Sequence, residues 1–527
     1  MTVNKDYVEE ALLCHNYFPF QKRMREELPP VFTSRQLVPD VAVKLTAKKH
    51  RKEGYDQVEY LMTRHTNISR PISIPHPLAY CHLVKSIVDN WAEFSYVCDN
   101  NVSKVKPDKY ADNRLLLMDY GDNCSKTDVA LRFGFGKKFR VHTDITNCFP
   151  SIYTHAIPWA LVGFQYSKSN RKNSLWFNQV DYCQRMLKRG ETQGIAIGPA
   201  TSNILSEAVL ARIDETLSEE FSYFRYIDDY TCYCKTFEEG QLFLRRLREE
   251  LKKYKLVLNI KKTETVELPA PIEPGWIVDL STRMPAGYLN DKNIKRYSSS
   301  EAVRFIDYAV RVNNEYPDGS VLKYAVKSII NHLDEPAKHQ VLLYLLGLVR
   351  YFPILLPLID GLLAANAGYN HVYAKYLNVI CIENSLEGRS DGIAWSLYYL
   401  NKYKLPISYE IVEKVVASKD CIGLTMLYMS GEFECEVIGF LNAVDHSDLY
   451  EIDQYWLLFY QLFFDGKLSN PYANDDTFDI LKAEDVSFIE REDHQTIAEK
   501  AFSAKKVQAI FTSVLDSRID ENGVSIP

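Results

Sequence analysis

Phe224-Arg225-Tyr226-Ile227-Asp228-Asp229-Tyr230-Thr231-Cys232-Tyr233 is the stretch whose reading decides the fold. Its flanks are aromatic, β-branched and cysteine residues, the composition of strands that lie on a half-buried pleated surface. Two carboxylates stand side by side in the middle. On a continuous strand, neighbours point to opposite faces, and one acid would be buried. A tight hairpin turn presents both at its tip instead. A lone Asp-Asp is ordinarily a solvated turn. Here aromatic strands on each side would hold the pair rigidly, as a metal site requires.

Upstream lies a second acidic strand, Phe139-Arg140-Val141-His142-Thr143-Asp144, with Phe149 five residues on in the turn and a helical pattern from Tyr153 to Val162. A helix over roughly 176–189 follows. Next comes Gln193-Gly194-Ile195-Ala196-Ile197-Gly198-Pro199-Ala200-Thr201-Ser202-Asn203, whose glycines let the backbone approach a ligand closely. Pro199 opens a long helix. Downstream of the hairpin, 237–254 reads as an amphipathic helix, and Leu256 to Thr263 as a strand ending in Lys261 and Lys262. Toward the N-terminus, 7–29 carries helical spacing and stops before Pro29-Pro30, and Ser69 to Pro77 is extended because its prolines exclude a helix.

A chain of 527 residues exceeds one simple core. Hydrophobic residues make up 46% and charged residues 25%, as in soluble globular proteins. The polar start predicts no secretory signal, and eleven scattered cysteines predict reduced thiols in a cytoplasmic protein. Cys232-x-Cys234 lacks the second pair of a zinc knuckle and reads as strand packing. The apolar stretch from Val341 to Leu363 contains Arg350, Pro353, Pro357 and Asp360, so it reads as buried helix with a break, not as a membrane span. The net charge of −7 hides an asymmetry: residues 1–300 carry 43 Lys and Arg against 36 Asp and Glu, and residues 301–527 carry 19 against 33. A basic first part suits a polyanionic partner.

The order acidic strand, Gly-rich loop and helix, acidic hairpin, helix and strand resembles the palm of the reverse transcriptases. Asp144 with Phe149 matches the first acidic motif, Gln193-Gly194 with Gly198-Pro199 and Ser202-Asn203 the second, and Tyr226-Ile227-Asp228-Asp229 the Tyr-x-Asp-Asp motif. Leu258-Asn259 with Lys262-Thr263 matches the Leu-Asn-x-x-Lys-Thr segment, and Arg70 to Pro77 resembles the fingers motif of retron-type enzymes. The resemblance implies nucleotidyl transfer from dNTPs with two Mg²⁺ ions ~4 Å apart, Mn²⁺ being a possible substitute. Asp144, Asp228 and Asp229 become the catalytic and metal-binding acids, with the Ile145 carbonyl a further candidate ligand. Phe149, Gln193, Gly194 and Lys262 become nucleotide-binding residues: Phe149 as a gate against the ribose 2′-hydroxyl, Lys262 as a proton donor or phosphate contact. Arg70, Lys137 and Lys138 are weaker candidates for the triphosphate.

From about Ser320 the pattern is helix after helix, at 321–333, 341–351, 372–386, 393–403, 411–418 and 422–429. The expected fold is therefore an α+β fingers–palm core followed by an all-α HEAT-like helical-repeat region. Its divisions are 1–120 (N-terminal helical segment and fingers), 121–290 (palm) and 291–527 (helical repeats). The acidic stretch 474–493 is expected to face solvent. A reverse transcriptase core joined directly to helical repeats resembles the bacterial abortive-infection group, particularly the P2-prophage type. That resemblance implies antiviral defence, a homo-oligomer (trimer or hexamer), and untemplated DNA synthesis primed from the protein, with Tyr7 or Tyr17 as attachment candidates. Two other readings stay open: a templated enzyme copying a dedicated non-coding RNA, as in retrons, and a catalytically silent scaffold.

Overall fold

A computed structural model of the chain describes residues 3–118, 123–317 and 319–490. The expected boundary at residues 120–121 lies outside them. So does the stretch 491–527, which includes the last residues of the acidic segment 474–493.

Alternating aromatic and β-branched residues form the expected sheet. The strands in chain order are β1 (Gln57–Thr63), β2 (Ser69–Pro75), β3 (Phe139–Asp144), β4 (Tyr223–Tyr226), β5 (Asp229–Cys234) and β6 (Glu264–Glu267), followed by the short pair β7 (Tyr288–Leu289) and β8 (Lys295–Arg296). Strands β4-β5-β3-β6 make one antiparallel sheet, with the acid-bearing β5 and β3 at its centre. The helices Ala200–Leu217 and Phe237–Lys253 pack together, and the second of them also packs on β3 and β5. The segment read as a strand over 256–263 differs. Leu258 makes a single bridge to Ile145, Ile260–Lys262 form one turn of 3₁₀-helix, and the strand proper begins at Glu264. That turn folds Lys262 back onto β3, where a continued strand would have carried it away.

The N-terminal helix ends earlier than its spacing suggests. Lys5–Glu10 is α-helical and Ala11–His15 continues as a wider π turn. Pro19 cannot continue the helix, and Asn16 is used as a surrogate backbone. Its Oδ1 accepts from the Leu115 and Leu116 amides and its Nδ2 donates to the Leu116 carbonyl.

The C-terminal helices form largely where the apolar spacing places them, among them Val321–Ile329, Ser390–Lys402, Tyr409–Ser418 and Cys421–Tyr428. The proline-containing apolar stretch breaks into Glu335–Leu348, a 3₁₀ segment Pro353–Leu358, and Asp360–Ala365. No helix among the described residues is long and apolar enough to cross a membrane. The acidic segment is only partly solvent-facing, because Phe478, Leu481, Val486, Phe488 and Ile489 are buried between its acids.

These helices are not a free appendage. One apolar core runs from Val3 to Ile489. The outer edge of β1 is capped by the start of helix Ser390–Lys402: Ser390 Oγ accepts from the Leu61 amide at 2.9 Å, and Asp391 accepts from the Thr63 amide and hydroxyl, both at 2.8 Å. Leu61 and Thr63 are two apart, so both amides point to the same unpaired edge. Trp456 Nε1 donates to the Ile74 carbonyl at 3.1 Å. The buried Asp453 accepts from the Asp56 amide and the Tyr472 hydroxyl and pairs with Arg51. The helical region therefore braces the β1–β2 hairpin through hydrogen bonds, those from Thr63 and Trp456 being buried.

Removing the Asp391 carboxylate leaves the fully buried Thr63 amide and hydroxyl without an acceptor. Asp391→Ala is expected to cost ~1–3 kcal/mol, read as a lower denaturation midpoint by circular dichroism. An unchanged midpoint would contradict the bracing role.

Candidate active site

The register of the central strands brings the sequence-distant acids together. Asp144 is the last residue of β3 and pairs with Asp229, the first of β5. Directly opposed antiparallel residues have Cα atoms about 4.5–5.5 Å apart with side chains on one face. Asp228 sits beside them in the two-residue loop, Ile227-Asp228, that joins β4 to β5. The hairpin expected around the acidic pair is thus present, and Asp144 lies against its tip. Like charges opposed across a ladder destabilise it, so this register is unfavourable without a counter-charge.

The electrostatics record that conflict. Burial, and after it the Asp229 carboxylate and then Asp144, push the Asp228 carboxyl up to about 6. Asp229 is also raised, by burial and by Asp144, with Lys262 opposing. Asp144 is 6% exposed. Its Oδ2 accepts from Lys262 Nζ at 2.7 Å, and its Oδ1 is buried without a hydrogen-bond partner. That contact in turn raises the Lys262 ammonium. The Leu-Asn-x-x-Lys-Thr segment is tied to the same strand end: the Asn259 amide donates to the Asp144 carbonyl at 2.9 Å, the Thr146 amide to the Val257 carbonyl at 2.9 Å, and Thr263 Oγ1 lies 2.7 Å from Thr143 Oγ1.

The Gly-rich loop is laced to the turn that follows β3. Cys148–Ser151 form one helical turn, entered through Asn147 in a left-handed conformation. The Ile195 amide donates to the Phe149 carbonyl and the Gly194 amide to the Ile152 carbonyl. Gly194 has φ +84°, and a Cβ there would lie 3.1 Å from the Pro150 carbonyl oxygen. Gly198, at φ +142°, lets the loop run against β2: a Cβ there would meet the Ser73 carbonyl at 2.6 Å, and the Ser73 amide donates to Ile197. Glycine is required at both positions by conformation and by space. Phe149 is 5% exposed, so its ring is packed beneath the turn. Gln193 lies at the surface and donates its amide to the Pro150 and Ser151 carbonyls, pinning the loop.

Two of the weaker triphosphate candidates are corrected. Lys137 and Lys138 precede the first residue of β3, whereas Asp144 is its last. At ~3.3 Å per residue they stand about 20 Å from the acids, and Lys137 Nζ lies 3.9 Å from Glu239. Arg70, on β2, is close enough to lower the Asp228 carboxyl, and Arg64 is close enough to oppose protonation of Lys262. Arg64 was not singled out from the sequence: it stands at the β1–β2 turn, and its approach depends on how that hairpin lies over the palm. Tyr17 is corrected as an attachment candidate, since its hydroxyl is buried on the Pro75 carbonyl; Tyr7 donates to the Arg114 carbonyl. Cys232 and Cys234 are free, buried and 3.6 Å apart, packed within β5 as expected.

Among the described residues no three His, Cys, Asp or Glu side chains already form a ligating cluster. A divalent cation nevertheless fits the donor set. Three carboxylates offer hard oxygen ligands, one of them has a buried oxygen without a partner, and an ammonium group occupies the other oxygen.

The raised Asp228 carboxyl has a consequence for the cation-free protein. An acid whose pKa goes up on folding contributes stability that is whole below its unfolded value near 4 and is lost as pH rises through about 6. Asp228→Asn removes that loss. The variant is expected to be more stable than wild type at pH 7.5 by on the order of 1–2 kcal/mol, with the gap closing near pH 4. Denaturation midpoints across that range check it, and a pH-independent gap would contradict the assigned charge conflict.

Residues 94–307 match the family model described as reverse transcriptase (RNA-dependent DNA polymerase). No curated protein matches the chain. Among solved structures it is similar to a telomerase from Candida tropicalis truncated from its C-terminal domain, at 13% identity over 44% of this chain and 54% of that one, TM-score 0.29. Others are the apo telomerase of Candida tropicalis, at 10% identity over 75% of this chain and 69% of that one, TM-score 0.30, and the telomerase of Candida albicans with a fragment of telomeric RNA, at 11% over 78% and 68%, TM-score 0.29. The chain spans about half the length of the first of these. With the acids opposed across β3 and β5 inside the matched span, the chain carries a reverse transcriptase domain over residues 94–307.

Proposed function

We propose that the protein polymerises deoxynucleotides at the carboxylate cluster of Asp144, Asp228 and Asp229. The observation that carries this reading is the β3–β5 register, which opposes Asp144 and Asp229 beside the hairpin tip. Asp144, through its unpartnered Oδ1, and the two hairpin acids would hold the cations, Mg²⁺ being the ion suited to an all-oxygen set and Mn²⁺ a substitute. Bound there, such ions supply charge stabilisation at the attacking and leaving oxygens of an in-line displacement.

The chain's own side chains have separable parts. The acids would hold the cations, and a carboxylate oxygen among them can accept from the incoming hydroxyl. Lys262, once released from Asp144, is placed to give its proton or its charge to the leaving pyrophosphate. Gly194 and the pinned Gln193 form the floor of the nucleotide side, and Phe149 stands beneath it as the gate that excludes a 2′-hydroxyl. Arg70 takes the triphosphate in place of Lys137 and Lys138.

The finer reading is synthesis without a template, primed from a protein hydroxyl, in a homo-oligomer serving antiviral defence. It is supported by the likeness of a reverse transcriptase core joined directly to a helical region. Neither tyrosine first considered as the primer is favoured, because both hydroxyls are engaged in hydrogen bonds within the fold.

Purified protein given Mg²⁺ and single dNTPs without nucleic acid, followed by intact-mass measurement, tests both levels. Nucleotide increments on the chain are the expected result. Incorporation only when RNA is added would replace self-priming with templated copying, and no incorporation under either condition would overturn the polymerase reading. Asp228→Ala is expected to cut incorporation by about 10²–10³-fold or more while leaving the circular dichroism unchanged. Near-wild-type synthesis by that variant would remove Asp228 from the site.

Lys262 competes with a cation for Asp144. Lys262→Gln is therefore expected to tighten Mn²⁺ binding severalfold, measured by electron paramagnetic resonance, while slowing nucleotide addition. Lys261→Gln, one residue away, controls for the general loss of positive charge. Equal tightening in both variants would contradict a direct contest for Asp144.

A further inference from the structure

Behind the acidic hairpin lies a buried charge network. Arg225, on β4, is fully buried. All three guanidinium nitrogens are engaged. Nε donates to Asp214 Oδ2 at 2.7 Å, and one terminal nitrogen lies 2.7 Å from the same oxygen. The terminal nitrogens also donate to the two Glu207 oxygens at 2.6 and 2.8 Å. One of these nitrogens also donates to the Ile227 carbonyl at 2.9 Å. Glu207 and Asp214 are seven residues apart on the helix Ala200–Leu217, two turns along one face. Asp214 is itself fixed by the Tyr223 hydroxyl at 2.8 Å and by Asn100 Nδ2 at 2.7 Å. The Arg225 backbone is held as well: its amide donates to Val102, and its carbonyl accepts from Lys104.

A buried ion network of this kind seldom adds stability over apolar packing of the same volume, so its use is sought in what it holds in place. Three of its four hydrogen bonds stay on the helix acids. The fourth reaches the hairpin loop, and the residue it reaches is in an unusual state. Ile227 has φ +56°, the left-handed region that a β-branched side chain avoids and that hairpin loops normally fill with glycine or asparagine. Such a conformation persists only where the surroundings impose it. Ile227 directly precedes Asp228, so its backbone sets the direction of both hairpin acids.

We propose that Arg225 is a positioning residue for the carboxylate hairpin: anchored on Glu207 and Asp214, it grips the Ile227 carbonyl and holds Ile227 left-handed, which aims Asp228 and Asp229 at Asp144. The anchoring helix begins immediately after the Gly198-Pro199 loop, so the same clamp ties the nucleotide-side loop to the acids. The proposal rests on the nucleotidyl-transfer reading for its consequence in rate, but not for its consequence in cation binding.

The test is a cycle of Arg225→Lys, Ile227→Gly and the double variant, with Mn²⁺ affinity, kcat and KM for dNTP as readouts. Arg225→Lys keeps the charge and loses the fork. It is expected to weaken Mn²⁺ binding and lower kcat by about 10–100-fold, the range for residues that orient metal ligands, with KM nearly unchanged. Adding Ile227→Gly should recover part of both losses, because glycine takes a positive φ without the clamp. A purely structural arginine would show no such rescue, so additive losses in the double variant would overturn the proposal. Where Arg225→Lys does not fold by circular dichroism, Glu207→Gln loosens the same fork from the far side, and the same rescue by Ile227→Gly is required. Rescue of Mn²⁺ affinity in a protein that incorporates no nucleotide at all would uphold the clamp and sink the polymerase reading instead.

Discussion

The structure turns on a repulsion. Three carboxylates, from the end of β3, the start of β5 and the β4–β5 loop, are set close together, and burial makes the charges of Asp228 and Asp229 costly. Nothing local favours that arrangement. It exists because β3 and β5 are central strands whose aromatic and cysteine partners fix a register that a one-residue slip would ruin. Lys262 relieves part of the conflict by sitting on Asp144, and a cation would relieve more. The site is thus an acid cluster made tolerable by its scaffold, with a donor set suited to a hard cation.

The scaffold extends well past the sheet. The loop from Gln193 to Gly198 is stitched on one side to the turn after β3 and on the other to β2. The β1–β2 hairpin therefore has both edges filled, by that loop and by the start of helix Ser390–Lys402. A two-stranded hairpin alone is marginal in water. Here it becomes a rigid wall beside the acids, and Arg64 and Arg70 ride on it. The C-terminal helices brace this wall from its far side.

Local features were readable from residues alone. Aromatic alternation around Asp228 and Asp229 marked the hairpin, Pro199 marked a helix start, and the prolines near 353 and 357 marked a broken helix. What could not be read were the long-range pairings. Lys137 and Lys138 precede a strand whose acid stands at its other end, and the strand's full extension in the fold keeps them away from Asp144. The Leu256–Thr263 stretch has strand composition, yet it curls at Ile260–Lys262 because Lys262 finds Asp144. Nothing in its own stretch marks Arg225 as buried; its burial is compensated by Glu207 and Asp214, which only the folded helix brings behind it. The left-handed Ile227 runs against every local preference, and the sign of function there is the violation itself.

The central claim is that Asp144, Asp228 and Asp229 together hold divalent cations. Anomalous scattering from crystals grown with Mn²⁺ and a non-hydrolysable dNTP tests it most directly. The account predicts anomalous peaks within about 2.0–2.5 Å of carboxylate oxygens from all three residues, with Lys262 Nζ drawn off Asp144. Peaks confined to other parts of the molecule, with the Lys262–Asp144 pair intact and nucleotide bound, would contradict it.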